Sequence, residues 1–175
     1  MGVLFRKSIE KKQILILIIC LLLFPFMIQD KENTNLLFIL FSSNYIALIL
    51  DTIYIWILFT RISKINSVFD KIITRYTKNE FLKKYILYAI LSSVIYLLIL
   101  YITVYSIVGL EKIYYSRVIA YFIIQTIYFV FLELFCMLSL GNYQNDGKMV
   151  IPILVNLVYH YVFVLEVLVK IFIGG

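Results

Sequence analysis

The sequence predicts an all-α polytopic membrane protein, with about five transmembrane helices and a cytoplasmic amphipathic elbow between the second and third. Three observations lead there. The chain of 175 residues is 63% hydrophobic and 15% charged, whereas soluble domains run nearer half apolar and a quarter charged. Apolar runs recur at lengths close to the roughly 20 residues that cross a bilayer. Basic residues gather in alternate connecting segments, the pattern that fixes membrane orientation.

The first span is expected at roughly 13–29, within "KKQILILIICLLLFPFMIQDKEN". Its basic flank and apolar run resemble a signal peptide, but no small-residue cleavage site follows, so a retained helix is expected. Pro25 near its outer end should end or kink it. The remaining spans are expected at 36–60, 85–110, 118–140 and 149–173. The last carries Asn156, His160, Glu166 and Lys170, so it either spans, lies partly along a partner or re-enters; a span is favoured. The soluble stretches are too small for a domain of their own, which makes residues 1–175 a single transmembrane domain.

Orientation follows from the short loops. Arg6, Lys7, Lys11 and Lys12 precede the first span, and Arg61, Lys64, Lys71, Arg75, Lys78, Lys83 and Lys84 follow the second. The opposite loops hold Lys31, Lys112 and Arg117, offset by Asp30, Glu32 and Glu111. The N-terminus is therefore expected in the cytoplasm and the C-terminus outside. The net charge of +6 then reflects basic loops rather than a nucleic-acid surface.

Several chemistries lack material. Cys20 and Cys136 lie inside apolar runs, where a thiol acts as a small hydrophobe. One histidine without a Cys/His cluster offers little for a metal site. No G-x-x-x-x-G-K-[ST] occurs, so no cofactor is expected in this chain. Abundant Ile, Tyr, Phe, Lys and Asn match AT-rich codons and suggest the plasma membrane of a bacterium.

The elbow, 62–84, is read from spacing. Ile62, Ile65, Phe69, Ile72 and Tyr76 recur at intervals of three and four, one stripe of a helix, opposite Lys64, Asp70, Lys71 and Arg75. This helix is expected to continue the second span through Arg61. Thr77 with Glu80 three residues on is a capping-box pattern, which starts a new helix before Phe81. Phe81 and Leu82 would lie at the interface while Lys83 and Lys84 snorkel. The stripe can rest on anionic lipid or enter a partner's groove.

Ionisable groups at membrane depth mark either function or internal pairing. Asp51, Glu133, His160, Glu166 and Lys170 are such groups. His160 and Glu166 are expected on nearly one face, with Lys170 placed to pair with Glu166. They could line a path, relay protons, form an intramembrane hydrolase from Glu133, His160 and Glu166, or simply fix helix packing. Close helix approach is expected at Ser42, Ser43 and Ala47, and at Ala89, Ser92 and Ser93.

The order of helices, with "ITRYTKNEFLKKYIL" between the second and third, resembles the small permease-like subunits of ABC-2 type exporters. The likeness is to short forms in Gram-positive systems for antimicrobial-peptide and bacteriocin export or immunity. It rests on Arg75, Tyr76, Thr77 and the "FLKKYIL" run; Thr77, Lys78 and Asn79 replace the expected Gly/Ser turn and following Arg, and the family usually has six helices. The resemblance implies a coupling helix seated on a separate ATP-binding subunit, with Ile72, Arg75, Tyr76, Thr77, Lys78 and Phe81 at the contact. It also implies a second membrane subunit or a homodimer. The alternatives are a small membrane protein of immunity or assembly type without an ATPase, and an intramembrane enzyme.

Overall fold

With no water in the hydrocarbon core, a spanning backbone must satisfy its own hydrogen bonds, and the apolar runs accordingly become helices. The computed structural model describes residues 11–27, 36–67, 77–108, 115–140 and 149–172, and these contain no strand. Helix α1 is Lys11–Met27, α2 is Leu36–Ser42 and α3 is Asp51–Asn66, the last preceded by a π-helical turn at Ile46–Leu50. Helices α4 (Lys78–Val108) and α5 (Tyr115–Leu140) follow. The last rod combines α6 (Val150–Val158), a π-helical stretch at Tyr159–Leu168 and α7 (Val169–Phe172).

Among the described residues, four stretches are long and apolar enough to cross a membrane: Ile46–Asn66, Asn79–Ser106, Tyr115–Met137 and Val150–Phe172. The remaining expected span, α1, is described over 17 residues with Pro25 inside it. At 1.5 Å per residue it covers about 26 Å, short of the roughly 30 Å hydrocarbon core.

The second span departs from its expected form at its start. It is not one rod from residue 36, because helicity breaks at Ser43. There the Ser42 hydroxyl donates back to the Phe38 carbonyl at 2.7 Å, a competition with the helix ladder that bends helices. At its other end α3 continues through Arg61 and Lys64 to Asn66, the continuation expected of it. Ile62 and Ile65, the first members of the amphipathic stripe, are buried in the core. Phe69, Ile72, Arg75 and Tyr76 lie outside the described residues.

Helix α4 begins where its cap places it. The Glu80 N–H donates to Thr77 Oγ1 at 3.3 Å, and the Phe81 N–H donates to the Thr77 carbonyl at 3.0 Å. The first bond satisfies a donor that a helix start leaves without an intrahelical partner, and the second is the first rung of the helix ladder. Phe81, expected at the interface, is instead 1% exposed, with its ring 6.0 Å from that of Tyr85. Arg117, expected in an outer loop, sits in the first turn of α5. Its guanidinium donates to the Phe172 carbonyl, which closes the end of the last rod.

Helix α3 is the central element. Of its membrane-length window 61% is buried, against 33%, 28% and 22% for the other three. It packs on α1, α5 and α6, while α4 and α5 pack on each other along their lengths. The outward faces are apolar: Leu87, Leu91, Ile95 and Ile102 on α4, and Ile119, Ile123 and Ile127 on α5. Exposed apolar rows at helical spacing, around an interior that holds charge, are the arrangement lipid requires.

Truncating Phe81 to alanine should lower stability by about 3–5 kcal/mol, as for a large core aromatic. Leu87→Ala, on an exposed row, should change it by less than about 0.5 kcal/mol. Thermal unfolding of the two variants in one detergent tests this; equal losses would place Phe81 at the surface.

A buried polar seam as the candidate functional site

The face of α3 that carries Asp51, Tyr54, Leu58 and Arg61 repeats at intervals of three and four, so its polar groups stack along one line. That line meets α4 at Tyr85, Ala89, Ser92 and Tyr96, which follow the same spacing. Ala89 and Ser93 are fully buried, and the long side chains of Tyr54, Arg61 and Tyr96 carry the hydrogen bonds between the two helices.

At the end of α3 nearer the elbow, Arg61 and Glu133 form an ion pair, Arg61 Nη2 donating to Glu133 Oε1. Their side chains are 1% and 0% exposed. The same Nη2 reaches Ser92 Oγ at 3.4 Å, and the guanidinium carbon lies 4.8 Å from the centre of the Tyr88 ring. Tyr85, wholly buried, interacts with the Glu133 carboxylate. Three helices thus converge on one guanidinium, whose Nε has no hydrogen-bond partner.

Two turns before Arg61, the Tyr54 hydroxyl donates to Ser93 Oγ at 3.3 Å and lies 3.5 Å from Ser92 Oγ. Its ring stacks on Tyr96 at 4.0 Å and 4°, and Phe129 sets its edge against both, at 5.2 and 5.6 Å. The Tyr96 hydroxyl donates to Asp51 Oδ1 at 2.6 Å. From Asp51 to Arg61 the seam covers about 15 Å along α3 at 1.5 Å per residue, half of the hydrocarbon core.

A second polar group joins the last rod to the π-turn before α3. Asn156 Nδ2 donates to the Ala47 carbonyl at 3.0 Å, and Asn156 Oδ1 accepts from the Tyr128 hydroxyl at 3.3 Å. Tyr128 stacks on Tyr159 at 3.6 Å. Between α4 and α5 the Tyr101 hydroxyl donates to Gln125 Oε1 at 3.0 Å, and Gln125 Nε2 donates to the Tyr121 hydroxyl at 2.8 Å. Gln13 Nε2 donates to Thr60 Oγ1 at 2.8 Å, which ties α1 to α3. The two π-helical stretches adjoin these groups, Asp51 following the first and Tyr159 opening the second; such departures from α geometry concentrate at functional positions.

The candidate residues are thereby sorted. Asp51 and Glu133 belong to one seam but to opposite ends of it. His160 is buried, with its Nε2 unpartnered. Glu166 pairs with Lys170 at 3.1 Å on an exposed surface. The expectation that His160 and Glu166 share a face is incorrect, since His160 turns into the interior while the Glu166 side chain is 68% exposed. Glu133, His160 and Glu166 do not assemble, and no group of three or more His, Cys, Asp or Glu occurs among the described residues. Of the elbow residues, Thr77 caps α4, Lys78 opens it and Phe81 is internal.

Arg61 is the member that reading the sequence assigned to a loop. Its signal was its register: it falls on the Asp51–Tyr54 line, and Glu133 needed a cation. No family model, no curated protein and no solved structure matches the chain.

Removing one partner leaves the other charge buried and uncompensated. Arg61→Ala or Glu133→Ala should therefore cost about 3–5 kcal/mol, while the double replacement by Leu should recover most of the loss. Detergent-phase melting of the three variants tests this; a double variant as unstable as either single one would refute the pairing.

Proposed function

We propose that the chain is a membrane-spanning, non-catalytic subunit of an ABC-type exporter, handling a peptide or other amphipathic substrate while a separate subunit hydrolyses ATP. In this reading the N-terminus is cytoplasmic, the membrane is the bacterial plasma membrane, and residues 62–84 form the coupling elbow. One observation carries it: both arms of that elbow root in a single buried cluster. Ile62 and Ile65 anchor the arm from α3, and Phe81 and Tyr85 anchor the arm into α4. Between them lies the Arg61–Glu133 pair, which also holds α5.

That placement gives an elbow something to act on. A force applied between Asn66 and Thr77 reaches α3 and α4 through side chains already locked in the core, and reaches α5 through the ion pair. A loop that only rests on lipid needs no such roots. The ATP-binding subunit would touch Ile72, Arg75, Tyr76 and Lys78, with Thr77 holding the geometry of the turn. Phe81 contributes from inside by fixing the start of α4, so its expected place at the contact passes to its neighbours.

Affinity purification of the tagged full-length chain from its native membrane should recover a P-loop ATPase subunit. Ile72→Ala with Tyr76→Ala should reduce that recovery about tenfold, near 1.4 kcal/mol of association, without changing the amount of chain in the membrane. Recovery of the folded chain with no nucleotide-binding partner would overturn the proposal. An intact complex after Lys64, Lys71, Arg75 and Lys78 are neutralised, with lost vesicle binding, would favour an assembly or immunity protein.

A further inference from the structure

Charged side chains within a bilayer-length helix ordinarily turn toward the protein interior or a water-filled cavity. The last rod does the reverse. Lys170 Nζ donates to Glu166 Oε2 at 3.1 Å, and the two side chains are 75% and 68% exposed. The rod is Val150–Phe172, so Glu166 lies about 9 Å inside its end and Lys170 about 3 Å, at 1.5 Å per residue. Lys170 is within snorkelling reach of the headgroups. Glu166 is deeper and has the shorter side chain. The same face continues through Val162, Val158 and Leu154 at intervals of four, all exposed. Valines lose little rotamer freedom on packing. This rod also has the smallest buried share of the four long stretches.

The geometry points to a second copy of this chain as the occupant of this face, packed about a two-fold axis along the membrane normal. Two copies inserted with the same topology bring like faces together at equal depth, and a two-fold interface matches each residue pair with its reciprocal. A face with one acid and one base a turn apart is complementary to itself. Glu166 of one copy reaches Lys170 of the other, and symmetry supplies the second pair. The four charges sum to zero and are withdrawn from lipid together, while Val162 and Val158 pack on their counterparts. This inference does not depend on the exporter reading.

The test uses the full-length chain in membranes, with Cys20 and Cys136 replaced by serine. Val162→Cys should give an oxidative cross-link at twice the chain mass, and Leu87→Cys, on the far exposed row of α4, should give none. Adding Glu166→Lys or Lys170→Glu alone should cut the cross-link about tenfold, near 1.4 kcal/mol. Co-expression of those two variants, differently tagged, should restore it between the tags, because neither can form the pair within its own chain. Single variants that cross-link like the parent would overturn the proposal. So would failure of the mixed pair when both chains elute as monodisperse folded protein. A parent chain that photobleaches in one step in nanodiscs, or cross-links to a different membrane protein, would overturn it too.

Discussion

Taking Arg61 and Glu133 out of water costs several kcal/mol per ion, which only their pairing and further hydrogen bonds offset. The neighbourhood is built accordingly. Ser92 accepts from the guanidinium, Tyr88 offers it a ring face, and Tyr85 lies against the carboxylate. Each of these groups must come from a helix placed at a fixed depth and rotation. Once the pair is formed, α3, α4 and α5 can neither slide nor turn independently. Most of the remaining polar contacts read as consequences of that register: Tyr54 reaches Ser93, and Tyr96 reaches Asp51, because Arg61 has already aligned the two helices.

The interior is thus specified by polar groups and the exterior by apolar ones. In a bilayer, apolar contact distinguishes protein from lipid poorly, so small residues and interhelical hydrogen bonds decide which faces meet. Ser92 and Ser93 receive Arg61 and Tyr54, and the stacked Tyr54–Tyr96 rings, edged by Phe129, fill the space beside them. The same logic accounts for the hydroxyls of Tyr96, Tyr54, Tyr101 and Tyr128, which find partners at Asp51, Ser93, Gln125 and Asn156.

Much of this was legible in the residues, and the exceptions have physical reasons. Hydropathy located the long helices because length and apolar content are what a membrane selects. Thr77 and Glu80 located the start of α4 because the cap is a local hydrogen bond. Asp51 and Glu133 stood out as acids at membrane depth. Arg61 was obscured because a basic residue at the end of an apolar run ordinarily marks the water boundary, and only its register with Tyr54 and Asp51 turns it inward. Phe81 was obscured for the converse reason, since an aromatic beside lysines reads as an interface anchor. The π-helical stretches and the break at Ser43 leave almost no mark on hydropathy. The relation of His160 to Glu166 is a matter of angle, which residue counting alone misjudged.

Helix α4 runs unbroken from Lys78 to Val108, and its polar crossing with α3 falls at Ser92 and Ser93, the midpoint of that length. About 22 Å of helix extends to either side at 1.5 Å per residue. The rod is not held there alone: it packs on α5, and Phe81 and Tyr85 toward one end and Leu100 and Val104 toward the other are buried as well. Fixed at several depths, α4 is a clamped strut rather than a lever, and a load on the capped end at Thr77 passes into its neighbours along its length.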